Sequence, residues 1–497
     1  MDARSQYSCL PALVARWASR TPDAPFLSWD DTVVSYAASA EQMSRAAAGL
    51  RHRGVRPGDI VVGLLTTRRD TVRALLAVSA ASGVLAPVNR WLAPGAFRAL
   101  LAYVRPDWVI ADGGAASLLA RNVSVLPARN RWIDVSETGD GSWASLERGV
   151  GPAELPDLPP DEVCYIDFTS GSLGAPKGVP RTHGSIWSIS ESAIEGLGLR
   201  SDDRHLSLFA PFAHPHEALA RAAVLGGTLV CVETLRPSAI ATTIARHSVT
   251  CVMGVPTVYG LLARRIEDPR FSTLRLLESG GAITPEALVA AFRSRLGIPL
   301  TPVWGCTEAG GIALAGPPSG SRPEGAVGML CPGFDARLVP HPEAEGSEGE
   351  LLLRGPSLAR EYFRLPSESA RAFRDGWYHS GDVFDRDAHG AFYFRGRTDE
   401  MIKVKGLKVF PTEIEQVLLR HPEVAEAAVV AGSDPGDSPV AFIMAKPGAS
   451  LTEPRLRAFC REHLPPFKVP QIMLRRALPK TRSGKILKRG LHGLREE

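Results

Sequence analysis

The sequence predicts an α/β protein: a large N-terminal domain of parallel-rich sheets with helices, a β-rich subdomain within it, and a small α+β C-terminal domain. Three observations carry this. Helical segments alternate with short β-type runs over residues 10–150, the pattern turns to β between about 320 and 395, and a compact helix–strand unit follows Arg397. At 497 residues the chain is also too long for one hydrophobic core.

Taken in order, LPALVARWASR (10–20) and SAEQMSRAAAGLRHRG (39–54) have helical apolar spacing, whereas DIVVGLL (59–65) and WVIAD (108–112) read as strands. Together they predict βα units with a parallel sheet. GVGPAELPDLPPDE (149–162), rich in Pro and Gly, reads as a connector. A second α/β stretch follows, with buried strands predicted at VCYIDF (163–168), GTLVCV (227–232) and TCVMGV (250–255). VGML, ARLV, GELLLRG and AFYFRG, separated by turn residues, make up the β-rich part. After Arg397, PTEIEQVLLRH is a helix with Pro at its start, VAEAAVVAG and VAFIMAK are strands, and EPRLRAFCREHL is an amphipathic helix. The division predicted is 1–397 and 398–497.

Composition narrows the function classes. With 57 basic and 53 acidic residues the formal charge is only +4, which gives no footprint for nucleic acid. Seven scattered cysteines without a CxxC argue against a disulfide framework or structural zinc, and for a reducing, cytoplasmic setting. The N-terminal stretch, with Arg4 and Arg16, lacks the apolar core of a signal peptide. Leu75–Val88 is broken by Ser79, Ser82, Gly83 and Pro87 and is too short to span a bilayer.

Five short motifs carry chemistry. FTSGSLGAPKG (168–178) follows a predicted strand and packs Thr169, Ser170 and Ser172 with Gly171, Gly174 and Lys177. Glycines let backbone N–H groups converge on a phosphate, hydroxyls add donors and the lysine adds charge. Pro176 before the lysine excludes a Walker A loop, and GxSxG spacing is absent. The lesser alternative for the stretch in isolation is a Ser/Gly surface turn. WGCTEAGG (304–311) sets Glu308 beside Thr307, a pairing suited to Mg²⁺ otherwise held by water and phosphates, or to a helix cap. In YHSGDVF (378–384), Asp382 is able to accept from two ribose hydroxyls; Arg397 in FRGRTDE is placed for the same sugar or a phosphate. PKTRSGKILKR (479–489) offers Lys485 on a flexible loop or simply a basic tail.

In this order and at these separations the motifs resemble the acyl-adenylate-forming superfamily: acyl-CoA synthetases, peptide-synthetase adenylation domains and luciferases. The resemblance runs from about residue 10 to 490. It implies that residues 168–178 grip pyrophosphate, that Thr307 and Glu308 touch the α-phosphate and Mg²⁺, and that Asp382 and Arg397 hold the ribose. It further implies that Lys485 bridges carboxylate and α-phosphate during adenylation, and that Asp399 is the hinge of a mobile C-terminal lid. Rotation of that lid would bring KVKGLKV (403–409), with Lys405, Gly406 and Lys408, to a pantetheine arm. Leu173 departs from the usual Thr or Ser and removes a hydroxyl donor, and His379–Ser380 and the turn 432–442 also depart.

The acid pocket implied by the resemblance is formed by 209–217, 253–257, 279–282 and 303–311, with Gly281, Ala282, Trp304 and Gly305 also meeting the nucleotide. Ala213 stands where amino-acid-activating members carry Asp, so an α-amino acid is disfavoured. Phe209, Phe212, Val255 and Trp304, with Gly280 and Gly310, indicate an apolar or aromatic acid. His214, expected in the pocket, and His216 form an HxH pair without a nearby third metal ligand; one of these imidazoles reads as an orienting or proton-accepting group, or as structural. The expected reaction consumes ATP with Mg²⁺, then transfers the acyl group to coenzyme A. An amine acceptor, or a carrier protein loaded in trans, is the alternative. A non-catalytic nucleotide sensor is disfavoured, because Glu308 and Lys485 are both present.

Overall fold

The computed structural model describes residues 9–136, 142–148, 151–152, 154–156, 158–169, 176–265, 268–317, 321–340, 348–404, 407–432, 438–480, 486–488 and 490–491. Helix Leu10–Arg20 forms where its apolar spacing places it, with Pro near its start and Leu10, Leu13 and Val14 buried. The next helix, Tyr36–His52, begins earlier than its apolar run because Ser35 caps it, accepting from the Ala38 N–H at 3.2 Å.

Two parallel-rich sheets follow. The six-stranded one runs Trp132–Asp134, Trp108–Ala111, Ile60–Leu64, Val84–Pro87, Val163–Phe168, Gly178–Thr182, and only its last pair is antiparallel. That pair returns the chain beside itself, with Phe168 opposite Gly178. The nine-stranded sheet contains Leu300–Cys306, Leu276–Ser279, Cys251–Gly254 and Arg204–Ser207 as adjacent parallel neighbours. Strands covered on both faces need continuous apolar runs, and these are buried throughout most of their length. Helices Arg68–Ala80 and Pro215–Leu225 pack on each other between the sheets, their Leu75, Leu76, Leu219 and Ala222 sharing one core with Val61, Leu85 and Leu229.

The β-rich part is an antiparallel sheet of Asp335–Pro340, Gly349–Arg354, Trp377–Arg386 and Phe373–Arg374, with Phe392–Arg397 on the second edge of Trp377–Arg386. Phe384, Phe392 and Leu351 join it to Leu314 of the nine-stranded sheet. Beyond it, strands Val424–Val430, Val440–Ala445 and Gln471–Leu474 pack with helices Pro411–Arg420 and Glu453–His463 around Ile414, Leu418, Val429 and Leu456. Every cysteine is free, and no helix among the described residues is long and apolar enough to cross a membrane.

Candidate active site

Four adjacent parallel strands end side by side. The residues that follow them are Phe209–His214, Val255, Gly280–Ala282 and Thr307–Glu308, and the carboxyl ends of parallel strands are where open α/β sheets bind ligands. These segments line one cavity of about 2090 Å³, together with Thr169, Lys177, Asp382, Arg397 and Asp399. Widely separated motifs thus meet around a single space. Gly305 lies in Leu300–Cys306, the last of these strands, paired with the antiparallel strand Gly311–Ala315: a Cβ there would collide with the Gly311 carbonyl oxygen, so no larger residue fits. Gly310, expected in the acid pocket, is instead turned towards buried Arg181, 2.8 Å from where its Cβ would sit, and the adjacent Gly311 lines the cavity.

Asp382 and Arg397 face each other in register across the antiparallel pair. The carboxylate accepts from Arg397 Nη1 at 2.8 Å and from Trp304 Nε1 at 2.8 Å, so the indole fixes its second oxygen. Burial pushes Asp382 up to about 6 despite the guanidinium, which pulls the other way. Arg397 also reaches Asp399 at 3.0 Å and, flanked by two carboxylates, stays firmly protonated.

Thr169 and Lys177 close the ends of the 168–178 loop on each other. The Thr169 N–H donates to the Lys177 carbonyl at 3.0 Å and the Lys177 N–H to Thr169 Oγ1 at 3.2 Å. Lys177 Nζ stands 4.6 Å from the centre of the Tyr362 ring, whose hydroxyl donates to Glu308 Oε1 at 2.6 Å. Tyr362 therefore joins the lysine to the acid, and nothing in its local sequence marked it. Glu308, buried on the cavity wall, offers one carboxylate; among the described residues no cluster of three His, Cys, Asp or Glu forms a ready-made cage. That donor set fits Mg²⁺, which takes one or two carboxylates and otherwise water and phosphate oxygens.

His214 has left-handed backbone (φ 50°, ψ 45°) at the start of helix Pro215–Leu225, a conformation that costs a non-glycine residue about 1–3 kcal/mol. Its Nδ1 lies 2.7 Å from Asp167 Oδ2, on the strand leading into the 168–178 loop. Burial alone would lower the imidazole, but Asp167 and Glu217 outweigh it and hold it up at about 9. His216 Nε2 meets the Gly310 carbonyl at 2.9 Å, and burial takes it down to about 4. The two rings thus engage different partners. Asp167 was not singled out from the sequence, since an acid inside an apolar strand carries no motif. Ser170, Gly171, Ser172, Leu173, Gly174, Lys405, Gly406 and Lys485, all expected at or near the site, lie outside the described residues.

Residues 14–363 match the family model described as AMP-binding enzyme, and residues 413–485 match that of the AMP-binding enzyme C-terminal domain. The chain belongs to the AMP-binding enzyme family. This is the acyl-adenylate-forming superfamily that the ordered motifs resemble. The chain is 33% identical to a feruloyl-CoA synthase of an Amycolatopsis species, covering 95% of this chain and 96% of that one. It is 30% identical to a benzoate–CoA ligase of Thauera aromatica, over 91% and 89% of the two chains. Its fold matches a crystal structure of an anthranilate CoA ligase in complex with anthranoyl-AMP, with a TM-score of 0.90, 26% identity and 98% and 97% coverage. The α/β architecture predicted for an adenylating enzyme is therefore the one observed.

Proposed function

We propose that this AMP-binding enzyme activates an apolar or aromatic carboxylic acid with ATP, releasing pyrophosphate, and transfers the acyl group from acyl-AMP to coenzyme A. The observation that supports it most is the single cavity shared by Lys177, Glu308, the Asp382–Arg397 pair and the apolar side chains Phe209, Phe212 and Val255. Attack of a carboxylate on the α-phosphate builds negative charge on the reacting oxygens and the departing pyrophosphate, and catalysis lies in offsetting it. In this reading Asp382 accepts from the ribose hydroxyls, Trp304 and Arg397 keep its carboxylate aimed, and Thr169 and Lys177 hold phosphate oxygens. Thr307 and Glu308 meet the α-phosphate and the magnesium, which supplies a Lewis acid when bound. Lys485 bridges carboxylate and phosphate.

We assign residues 1–397 to the adenylating domain and 398–497 to a lid that turns at Asp399, bringing Gly406 and its neighbours to the thiol. Relatives named as CoA ligases across nearly the full chain support coenzyme A as acceptor, and a cytoplasmic location goes with a CoA-dependent reaction. The test is pyrophosphate release over an acid panel, followed by mass analysis of products with coenzyme A and then with amines. Lys485→Ala should abolish acid-dependent release while ATP still binds. Undiminished adenylation in that variant refutes the role of the lysine; proven adenylation without any acyl-CoA refutes the acceptor in favour of an amine or a carrier protein.

A further inference from the structure

The wall that carries His214 also carries a carboxylate for which the adenylation chemistry has no use. Glu217 is only 7% exposed, yet it lines the cavity beside Phe209, Phe212, Met253, Val255 and Gly311. Its two oxygens differ. Oε2 accepts from Arg221 Nη2 at 3.1 Å, and Arg221 Nη1 is held by both oxygens of Glu278 at 2.8 and 3.1 Å. Among the described residues no hydrogen bond reaches Oε1. His214 Nδ1 stands 3.9 Å from it, and that nitrogen already sits 2.7 Å from Asp167.

Glu278 already gives Arg221 a counter-ion through both of its oxygens, and Glu217 adds a second through Oε2 only, which leaves Oε1 outside that pairing. A buried acceptor left open beside aromatic and aliphatic side chains is unfavourable until a donor reaches it. The backbone supports this placement: at Gly311 a Cβ would stand 3.0 Å from Glu217 Oε2, so glycine there leaves the carboxylate its place on the wall.

We propose that Glu217 Oε1 receives a hydrogen-bond donor on the ring of an aromatic acid, so that the chain selects hydroxy- or amino-substituted aromatic acids over unsubstituted ones. The proposal rests on the function assigned above. Burial raises Glu217 above the ordinary carboxylate range, consistent with an acid awaiting a partner.

The test is kcat/KM for pyrophosphate release with benzoates and cinnamates carrying hydrogen, hydroxyl, amino or methoxy at each ring position. At one or more positions the hydroxy or amino acid should exceed both the unsubstituted and the methoxy acid by about 10- to 100-fold, the range of one hydrogen bond to a charged group. The hydroxy and amino arms separate the two donors. In Glu217→Gln and Glu217→Ala that ratio should shrink towards unity, while KM for ATP stays within about twofold. A wild type that adenylates unsubstituted acids as well as every donor-bearing one overturns the inference and leaves the proposed function standing. So does a preference that survives in both variants. Pyrophosphate release with no acid at all overturns the proposed function, and the inference with it. Glu217→Gln keeps the volume and one oxygen for Arg221, and the wild-type panel decides the matter even where Glu217→Ala does not fold.

Discussion

Replacing Asp382 by Asn separates what the fold needs at this position from what ATP needs. The carboxyl group is buried, and its pKa of about 6 stands above the ordinary 3.8 because burial outweighs the attraction of Arg397. The sign follows directly. The folded chain keeps the proton up to about pH 6 and the unfolded chain only to 3.8, so between these values the folded state binds more protons and its stability falls as pH rises. At about 1.4 kcal/mol per pH unit the full loss is about 3 kcal/mol, and roughly 2 kcal/mol of it falls between pH 4.5 and 7. Asn has nothing to ionise. Urea unfolding of wild type and Asp382→Asn across that range should therefore show the variant gaining about 2 kcal/mol on the wild type.

At pH 7 that relief is opposed by the amide group, whose NH₂ must face either Trp304 Nε1 or Arg397 Nη1, at about 1–3 kcal/mol. The two nearly cancel, and the net change should be small, unlike the roughly 3–5 kcal/mol lost when a buried pair is broken to leave its partner uncompensated. Arg397 is not so left, since Asp399 remains 3.0 Å away. KM for ATP should rise about 10-fold or more, and 2′-deoxy-ATP, a poorer substrate for the wild type, should be no worse than ATP for the variant. A stability difference that stays flat between pH 4.5 and 7 refutes the buried-acid argument. An unchanged KM for ATP refutes the ribose assignment.

Three further outcomes are expected. Tyr362→Phe removes the 2.6 Å hydrogen bond to Glu308 and frees that carboxylate to rotate; pyrophosphate release should drop by about tenfold, with unfolding free energy within about 2 kcal/mol of wild type. The raised His214 pKa stabilises the fold fully below 6.5 and is lost as pH rises through about 9. Wild-type melting temperature should therefore fall between pH 7 and 9.5, and Asp167→Asn should flatten that fall. Gly305→Ala drives a methyl group into the Gly311 carbonyl oxygen, so its expression as folded protein should collapse; a variant that folds and melts like wild type contradicts the packing described for this strand pair.

Much of this was legible in the sequence, for reasons that differ by element. Strands such as Val163–Phe168 and helices such as Leu10–Arg20 lie where their apolar runs place them, because a buried element must display its burial in its residues. The pocket segments were also readable, since each directly follows a strand and parallel strands deliver their carboxyl ends to one side. Partnerships across the fold were not readable. Tyr362 meets Glu308 from 54 residues away, and Asp167 meets His214 across 47, so neither has a spacing that sequence periodicity can register. Asp382 and Arg397 were paired only by the resemblance, because their direct engagement depends on the register of an antiparallel pair.

Those unreadable partnerships decide what the buried acids are free to do. ATP and a carboxylate are both anions, so a cavity lined by several unpaired acids would repel its own substrates. Here Asp382 is matched by Arg397, Asp167 by His214, and Glu217 and Glu278 share Arg221. Glu308 is different: it takes a neutral hydroxyl from Tyr362, and among the described residues it forms no ion pair. Of these five acids, it is therefore the one whose charge is left for a cation arriving with the nucleotide, as the proposed magnesium role requires. Lys177, held against the face of the Tyr362 ring, stands next to it with its charge directed at the same space. An acid open to a metal beside a cation open to phosphate is the arrangement that a magnesium–triphosphate substrate complements, and exchanging the two charges should abolish ATP binding where neutralising either one only weakens it.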